Sequence, residues 1–164
     1  MKNTNITLIG MPSAGKTYLG KRLAGKFGKT WVDLDTASYH SIIQVGGTEK
    51  EFMKAEEKVL LSATGKNCLF TCGGSSIYSK QGMEHLENIS LILYLKLPLE
   101  VIKKRLGDFS NRGVIKADKL TLSELYAERC PLYEKYCDLT FSFNKDSAEE
   151  QFLQLCRFVQ DVLC

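Results

Sequence analysis

Short apolar runs alternate along this chain with longer stretches in which apolar residues recur every three or four positions, the pattern of strands interleaved with amphipathic helices. Asn5 to Ile9, Thr30 to Asp33, Cys68 to Cys72, Ile89 to Leu95 and Leu139 to Phe143 read as strands, several apolar enough to be buried on both faces. Lys16 to Phe27 reads as a helix with Leu19, Leu23 and Phe27 at spacing four, and Glu51 to Ala63 as a second with Ala55, Val59 and Leu60 on one side. Leu99 to Leu106, Leu122 to Tyr136 and Ala148 to Leu163 supply the remaining helices, and Pro131 is expected to kink or interrupt the middle one. Strands spaced by helices need crossover connections. The pattern therefore predicts an α/β fold, a parallel sheet of about five strands with helices on both faces.

Composition narrows the class. A chain of 164 residues without repeats or a Pro- or Ser-rich linker is expected to form one domain, 1–164. No apolar run approaches the roughly 18 residues of a membrane span, and the amino terminus lacks the apolar core and small-residue cleavage site of a secretory signal. A cytoplasmic protein with no membrane partner is the expectation. Lys and Arg number 22 against 19 Asp and Glu, and the net charge of +3 is too small to argue for nucleic acid as a partner. The six cysteines include no CxxC pair and sit mostly in apolar or helical patterns, so they read as reduced, buried small hydrophobes rather than a disulfide framework. His40 and His85 are isolated and read as structural or surface residues. Trp31, just before two aspartates, reads as packing rather than a substrate platform.

Ligands of parallel sheets bind beyond the carboxyl ends of the strands, which directs attention to Gly10–Thr17, Asp33–Asp35 and Gly73–Ser75. The segment Gly10-Met11-Pro12-Ser13-Ala14-Gly15-Lys16-Thr17 matches GxxxxGK[ST] in full, after an expected strand and at the start of an expected helix. Such a loop turns its backbone N–H groups onto phosphate oxygens, and bulk at Gly10 or Gly15 would obstruct the turn. Lys16 would place an ammonium near the β and γ phosphates. Thr17 would offer a hydroxyl to Mg²⁺, and the helix N-terminus adds its positive end. The expected ligand is a nucleoside triphosphate. The guanine-specifying NKxD tetrapeptide is absent and the chain is short, which favours a small phosphotransferase. Asp33 and Asp35 occupy alternate positions at a strand end and would face the same way if the chain stayed extended. Two such carboxylates can divide Mg²⁺ binding and proton acceptance between them; a solvated loop or helix cap explains them equally well.

Taken together, these motifs resemble the shikimate kinase family over nearly the whole chain. The matching positions are the P-loop at Gly10–Thr17, the pair Asp33 and Asp35, the turn Gly73-Gly74-Ser75, and Arg129-Cys130-Pro131-Leu132-Tyr133. The resemblance implies a P-loop kinase fold with a lid loop at about 107–120 and an acceptor-binding region at about 35–62. It implies transfer of the ATP γ-phosphoryl group to a hydroxyl of shikimate or a similar small acceptor by a monomer. Lys16 and Arg112 would neutralise the transferring group, Thr17 and Asp33 would hold Mg²⁺, and Asp35 would take the acceptor proton. Gly10, Ser13, Ala14, Gly15, Lys16, Thr17 and Arg105 would bind the nucleotide, Arg105 by packing on adenine. Asp35, Met53, Gly73, Gly74, Ser75 and Arg129 would surround the acceptor.

Three departures from that family concern the acceptor. Met53 stands where the family has an arginine that pairs with the substrate carboxylate, so a fork of donors is missing. Lys50, one turn back, is a candidate replacement, whereas Lys54 is expected to point about 100° away. Ser75 replaces the third glycine of the turn, and its hydroxyl either adds a hydrogen bond or excludes a ring substituent. The stretch between Asp35 and Phe52 is several residues shorter than the family pattern. Two alternatives to shikimate kinase stay open on these grounds: a related kinase for another hydroxylated metabolite, and an ATP-binding module without turnover. The carboxylate of Asp35 favours an enzyme.

Overall fold

The computed structural model describes residues 5–35, 48–107, 119–143 and 147–163. Five strands form one parallel sheet: β1 (Ile6–Ile9), β2 (Thr30–Asp33), β3 (Cys68–Thr71), β4 (Leu91–Lys96) and β5 (Leu139–Ser142), in the order β2-β3-β1-β4-β5. Among the described residues the helices are α1 (Lys16–Lys26), α2 (Glu49–Ser62), α3 (Lys80–Ile89), α4 (Leu99–Leu106), α5 (Leu122–Tyr136) and α6 (Ala148–Leu163), with a single 3₁₀ turn at Ser76–Tyr78. Burial follows the strand order. The three inner strands β3, β1 and β4 are buried almost throughout, while the edge strands β2 and β5 keep partly exposed residues. Helix α1 packs on α6 and α2 on α3, so the sheet is covered from both sides, as right-handed crossovers that first step outward to β2 and then return toward β4 require.

One sequence expectation changes at the element level, and for another one of its two alternatives is removed. The strand expected from Ile89 begins at Leu91, because Lys80–Ile89 forms a helix that the apolar pattern did not mark. Ser79 caps it, accepting from the Gly82 N–H at 3.0 Å, and Met83 and Leu86 are its buried residues beside Gly82. Helix α5 is not interrupted at Pro131 and runs through it to Tyr136. Its start is fixed by a capping box in which Thr121 and Glu124 satisfy each other's backbone N–H groups, and Tyr133 and Tyr136 are buried beyond the proline. The anchoring on both sides of Pro131 offsets the one backbone hydrogen bond it forgoes.

At the amino-terminal edge of the sheet, buried Asn5 joins three segments. Its side-chain amide donates to Gly65 O at 2.9 Å and Ile89 O at 3.0 Å, and its Oδ1 accepts from the Cys68 N–H at 2.8 Å. These bonds set the starts of β1, β3 and β4 in register, so the three loops at the opposite ends emerge side by side. His85 has a structural role, its Nε2 lying 2.8 Å from Ala63 O; His40 lies outside the described residues. Cys68, Cys72, Cys130, Cys137 and Cys156 are all free thiols. No helix among the described residues is long and apolar enough to cross a membrane.

Candidate active site

The loop from β1 to α1 adopts the geometry its glycines permit. Gly10 has φ of 149°, and a Cβ there would lie 2.7 Å from Leu95 O on the neighbouring strand; Gly15 has φ of 87° and forms the N-cap of α1. No side chain caps this helix or α4, whereas Thr48, Ser79, Thr121 and Ser147 cap α2, α3, α5 and α6. At α1 the uncapped end follows a glycine loop, an arrangement that suits an anion. Lys16 is buried and bends back over the loop, its Nζ donating to Gly10 O and Met11 O, each at 2.9 Å. Burial lowers its pKa to about 8, with Asp35 the largest opposing influence. Thr17 follows, exposed on the first turn of α1, and Arg105 at the end of α4 flanks the loop. Arg105 donates to Ser13 O at 3.3 Å and to Gln151 Oε1 at 3.0 Å.

The two aspartates leave β2 in different conformations. Asp33 ends the strand, and the chain is already helical at Leu34 and Asp35, so the extended arrangement with both side chains on one side does not form. The cause is local: Asp33 Oδ1 accepts from the Asp35 N–H at 3.1 Å and from Thr71 Oγ1 at 3.4 Å, turning the chain as an aspartate cap does. Trp31 packs behind this turn, its indole N–H donating to Thr71 Oγ1 at 3.2 Å. Burial raises the pKa of Asp35 while Lys16 opposes the rise. The carboxylate is therefore moved toward the range in which it accepts a proton.

The turn after β3 gathers the remaining groups. A Cβ on Gly73 would lie 2.7 Å from Asp35 Oδ1 and 2.7 Å from Glu56 Oε1, so glycine lets both carboxylates stand close to this backbone as they do here. Gly74 stands between Pro12 of the phosphate loop and Arg129 of α5; a Cβ there would meet Pro12 Cδ at 2.8 Å and Arg129 Nη1 at 3.0 Å. Its carbonyl accepts from Tyr133 OH at 2.6 Å, one turn beyond Arg129 on the same helix. Ser75 turns its hydroxyl onto Glu56, donating to Oε1 at 3.0 Å. Arg129 is only 1% exposed, and the effects of its charge on Lys16 and Glu56 place it in their electrostatic reach.

Glu56 is the residue that the sequence reading passed over. Its side chain is buried, and burial is the main reason its pKa rises to about 7. The signal was present: Glu56 and Leu60 are the buried residues of α2, one turn apart, and a carboxylate on the apolar stripe of an amphipathic helix needs a reason. Beside it opens a cavity of about 240 Å³, lined by Lys50, Met53, Lys54, Glu56, Glu57, Ser75, Tyr78 and Ser79. Lys54 lines this cavity together with Lys50, contrary to the expectation that it points away. The two lie one turn apart on the same side of α2, with exposed side chains at the rim.

The structure thus brings together Gly10, Lys16, Asp35, Gly73, Gly74, Ser75 and Arg129, with Met53 on the adjoining cavity and Arg105 across the phosphate loop. Arg112 and the expected lid between Gly107 and Lys119 lie outside the described residues, as does the shortened segment after Asp35. No three His, Cys, Asp or Glu side chains among the described residues converge as a metal cage.

Comparison with known proteins gives the same picture. The family model for shikimate kinase matches residues 12–160. A shikimate kinase of Clostridium botulinum is 33% identical, with 93% of this chain and 94% of that protein covered, and one of Vibrio parahaemolyticus is 30% identical with 96% of each covered. Among solved structures, a shikimate kinase from Acinetobacter baumannii in complex with shikimate superposes with a TM-score of 0.79 at 26% identity, covering 96% of this chain and 93% of that one. With its family match spanning most of the sequence and its parallel sheet shared with that structure, the chain belongs to the shikimate kinase family of ATP-using phosphotransferases.

Proposed function

We propose that this enzyme transfers the γ-phosphoryl group of ATP to a hydroxyl of shikimate, yielding shikimate 3-phosphate and ADP. The observation that carries the reading is the meeting of Lys16, Asp35 and Arg129 around Gly73 and Gly74. Phosphoryl transfer needs a cation at the transferring group, an acceptor for the hydroxyl proton and a grip on the acceptor, and these three supply one each. The N-terminus of α1 and the loop from Gly10 to Thr17 hold the phosphates, with Ser13 and Ala14 contributing backbone. Lys16 exchanges its two loop carbonyls for phosphate oxygens, which relieves the cost of its burial. Asp35 takes the acceptor's proton as the new O–P bond forms and the bond to the β-phosphate oxygen breaks. Arg129 grips the acceptor carboxylate, and Arg105 flanks the adenine end.

The residues present fit Mg²⁺. It prefers waters, phosphate oxygens and one or two protein oxygens to a complete protein cage, and the exposed hydroxyl of Thr17 and the carboxylate of Asp33 are oxygens of that kind. When bound it would neutralise charge on the phosphates. Arg112, on a lid at about 107–120, would add charge stabilisation on closure.

One observation favours a second reading, a kinase of the same mechanism for a different small hydroxy acid. Met53 lines the cavity where a fork of donors would grip a carboxylate, and among the described residues the cations that reach the cavity are Lys50 and Lys54. A coupled ADP-release assay with Mg-ATP, run against shikimate and a panel of small hydroxy acids, separates the two. Turnover of shikimate at millimolar concentration or below supports the first; turnover confined to another acceptor supports the second.

A further inference from the structure

Tyr78 enters none of the steps above, yet it stands where the glycine turn, the cavity and α5 meet. It closes the 3₁₀ turn after Ser75, is half-buried, and forms part of the cavity wall. Its hydroxyl oxygen accepts from Arg129 Nε at 3.2 Å, and the same hydroxyl donates to Glu128 Oε1 at 2.5 Å. Its ring centroid lies 5.3 Å from Arg129 Cζ. One side chain therefore holds the guanidinium both by an edge hydrogen bond and through its ring. Glu128, the neighbour of Arg129 on α5, fixes the phenol in turn. Donation runs in one direction, from Arg129 to Tyr78 to Glu128, and the carboxylate polarises the phenol so that its oxygen accepts more strongly.

This arrangement decides which edge of Arg129 is offered to a ligand. With Nε engaged by Tyr78, the Nη end lies toward the glycine turn and Tyr133, which is also within hydrogen-bonding reach of Arg129, and Nη1 lies 3.0 Å from the position a Gly74 Cβ would take. We propose that Tyr78 is a positioning residue for the acceptor: by holding the Nε edge of Arg129 it aims the Nη edge at the acceptor's carboxylate. It thereby sets acceptor affinity without acting on the nucleotide. The proposal rests on the reading of Arg129 as the acceptor clamp. No step of the scheme above runs through Tyr78 itself, and because its ring also lines the cavity, the variant that keeps the ring and loses only the hydroxyl isolates what Tyr78 does through Arg129.

The test is steady-state kinetics of Tyr78→Phe, which keeps the ring, and Tyr78→Leu, which removes both contacts, with shikimate and Mg-ATP. The expected result is an acceptor KM raised about fivefold in the phenylalanine variant and about tenfold or more in the leucine variant, with kcat and the ATP KM within about twofold of wild type. An acceptor KM unchanged in Tyr78→Phe, or an equal rise of the ATP KM, overturns the proposal. A second readout needs no acceptor: the Nε–H signal of Arg129 in ¹⁵N spectra of the free protein, identified by its absence in Arg129→Lys. Its exchange with water becomes about tenfold faster in Tyr78→Phe if Tyr78 holds that edge, and stays as in wild type if it does not. Should wild type fail to turn over shikimate, the acceptor assignment falls, and the exchange measurement alone then decides for or against Tyr78.

Discussion

Lys16 and Glu56 carry opposite charges that burial opposes, and each makes the enzyme respond to pH in its own direction. The Lys16 pKa of about 8 means that its ammonium is lost as pH rises through that value, long before an ordinary lysine would lose it. In the proposed scheme the nucleotide needs the charged form. The expected outcome is a kcat/KM for ATP that falls above about pH 8, with the decline removed in Lys16→Arg, whose guanidinium stays charged. For Glu56 the folded pKa of about 7 lies above the ordinary 4.5, so the folded state holds the proton more tightly than the unfolded chain. Stability from that source is fully present below about pH 4.5 and lost as pH rises through about 7. Denaturant titrations of wild type and Glu56→Gln across pH 5 to 8 should diverge toward high pH, wild type losing up to about 3 kcal/mol relative to the variant. Asp35→Asn should lower kcat by about 10² to 10⁴ while nucleotide binding persists, the range expected when a positioned general base is removed. At this scale Gly10, Gly15 and Lys16, and Arg129, stood out in the sequence because they belong to motifs of fixed spacing. Glu56 did not, because a single acid among the many charges of α2 stands out only once its burial is known.

At the scale of elements, β1, the phosphate loop and α1 were readable together, since a buried strand, a glycine loop and an amphipathic helix reinforce one another. The span Lys80–Ile89 was not. Its apolar residues Met83, Leu86 and Ile89 are few, Gly82 lies near its start, and Ile89 abuts the run Leu91–Leu95 with only Ser90 between. Tertiary contacts decide that boundary: Ser90 Oγ lies 2.6 Å from Thr7 Oγ1 and donates to Leu86 O at 2.8 Å, and Ile89 O accepts from Asn5. The same contacts make Asn5 a test of how the elements are held. Asn5→Leu leaves two carbonyls and one amide N–H of the sheet edge without partners, and should cost about 2 to 4 kcal/mol in chemical denaturation. Asn5 is far from the phosphate loop along β1, so the KM values of the folded variant should stay within about twofold of wild type.

For the molecule as a whole, the strand order β2-β3-β1-β4-β5 does more than close a core. It sets β1 beside β3, so that the phosphate loop and the glycine turn leave neighbouring strands at the same sheet edge, with Asp33 and Asp35 one strand further out. A net charge of +3 told little, because the charges the proposed scheme uses are few and local: Lys16 and Arg105 lie at the phosphate loop and Arg129 beside the glycine turn. The proposed scheme also uses Arg112, and on it Arg112→Ala should lose about 10³ in kcat, measured with both substrates saturating. The acceptor was the part least legible in sequence, since Met53 and Ser75 alter its surroundings while the phosphate apparatus is intact. Met53→Arg, which supplies a fork of donors on the cavity, should lower the KM for shikimate about tenfold. The central claim is that this site phosphorylates shikimate with Asp35 as its base, and the most direct measurement is Mg-ATP-dependent formation of shikimate 3-phosphate by wild type and Asp35→Asn, followed by ³¹P NMR. The account predicts a stoichiometric phosphate ester with wild type and at least a hundredfold slower formation with the variant. No ester with wild type at millimolar shikimate, or equal rates in the two proteins, would contradict it.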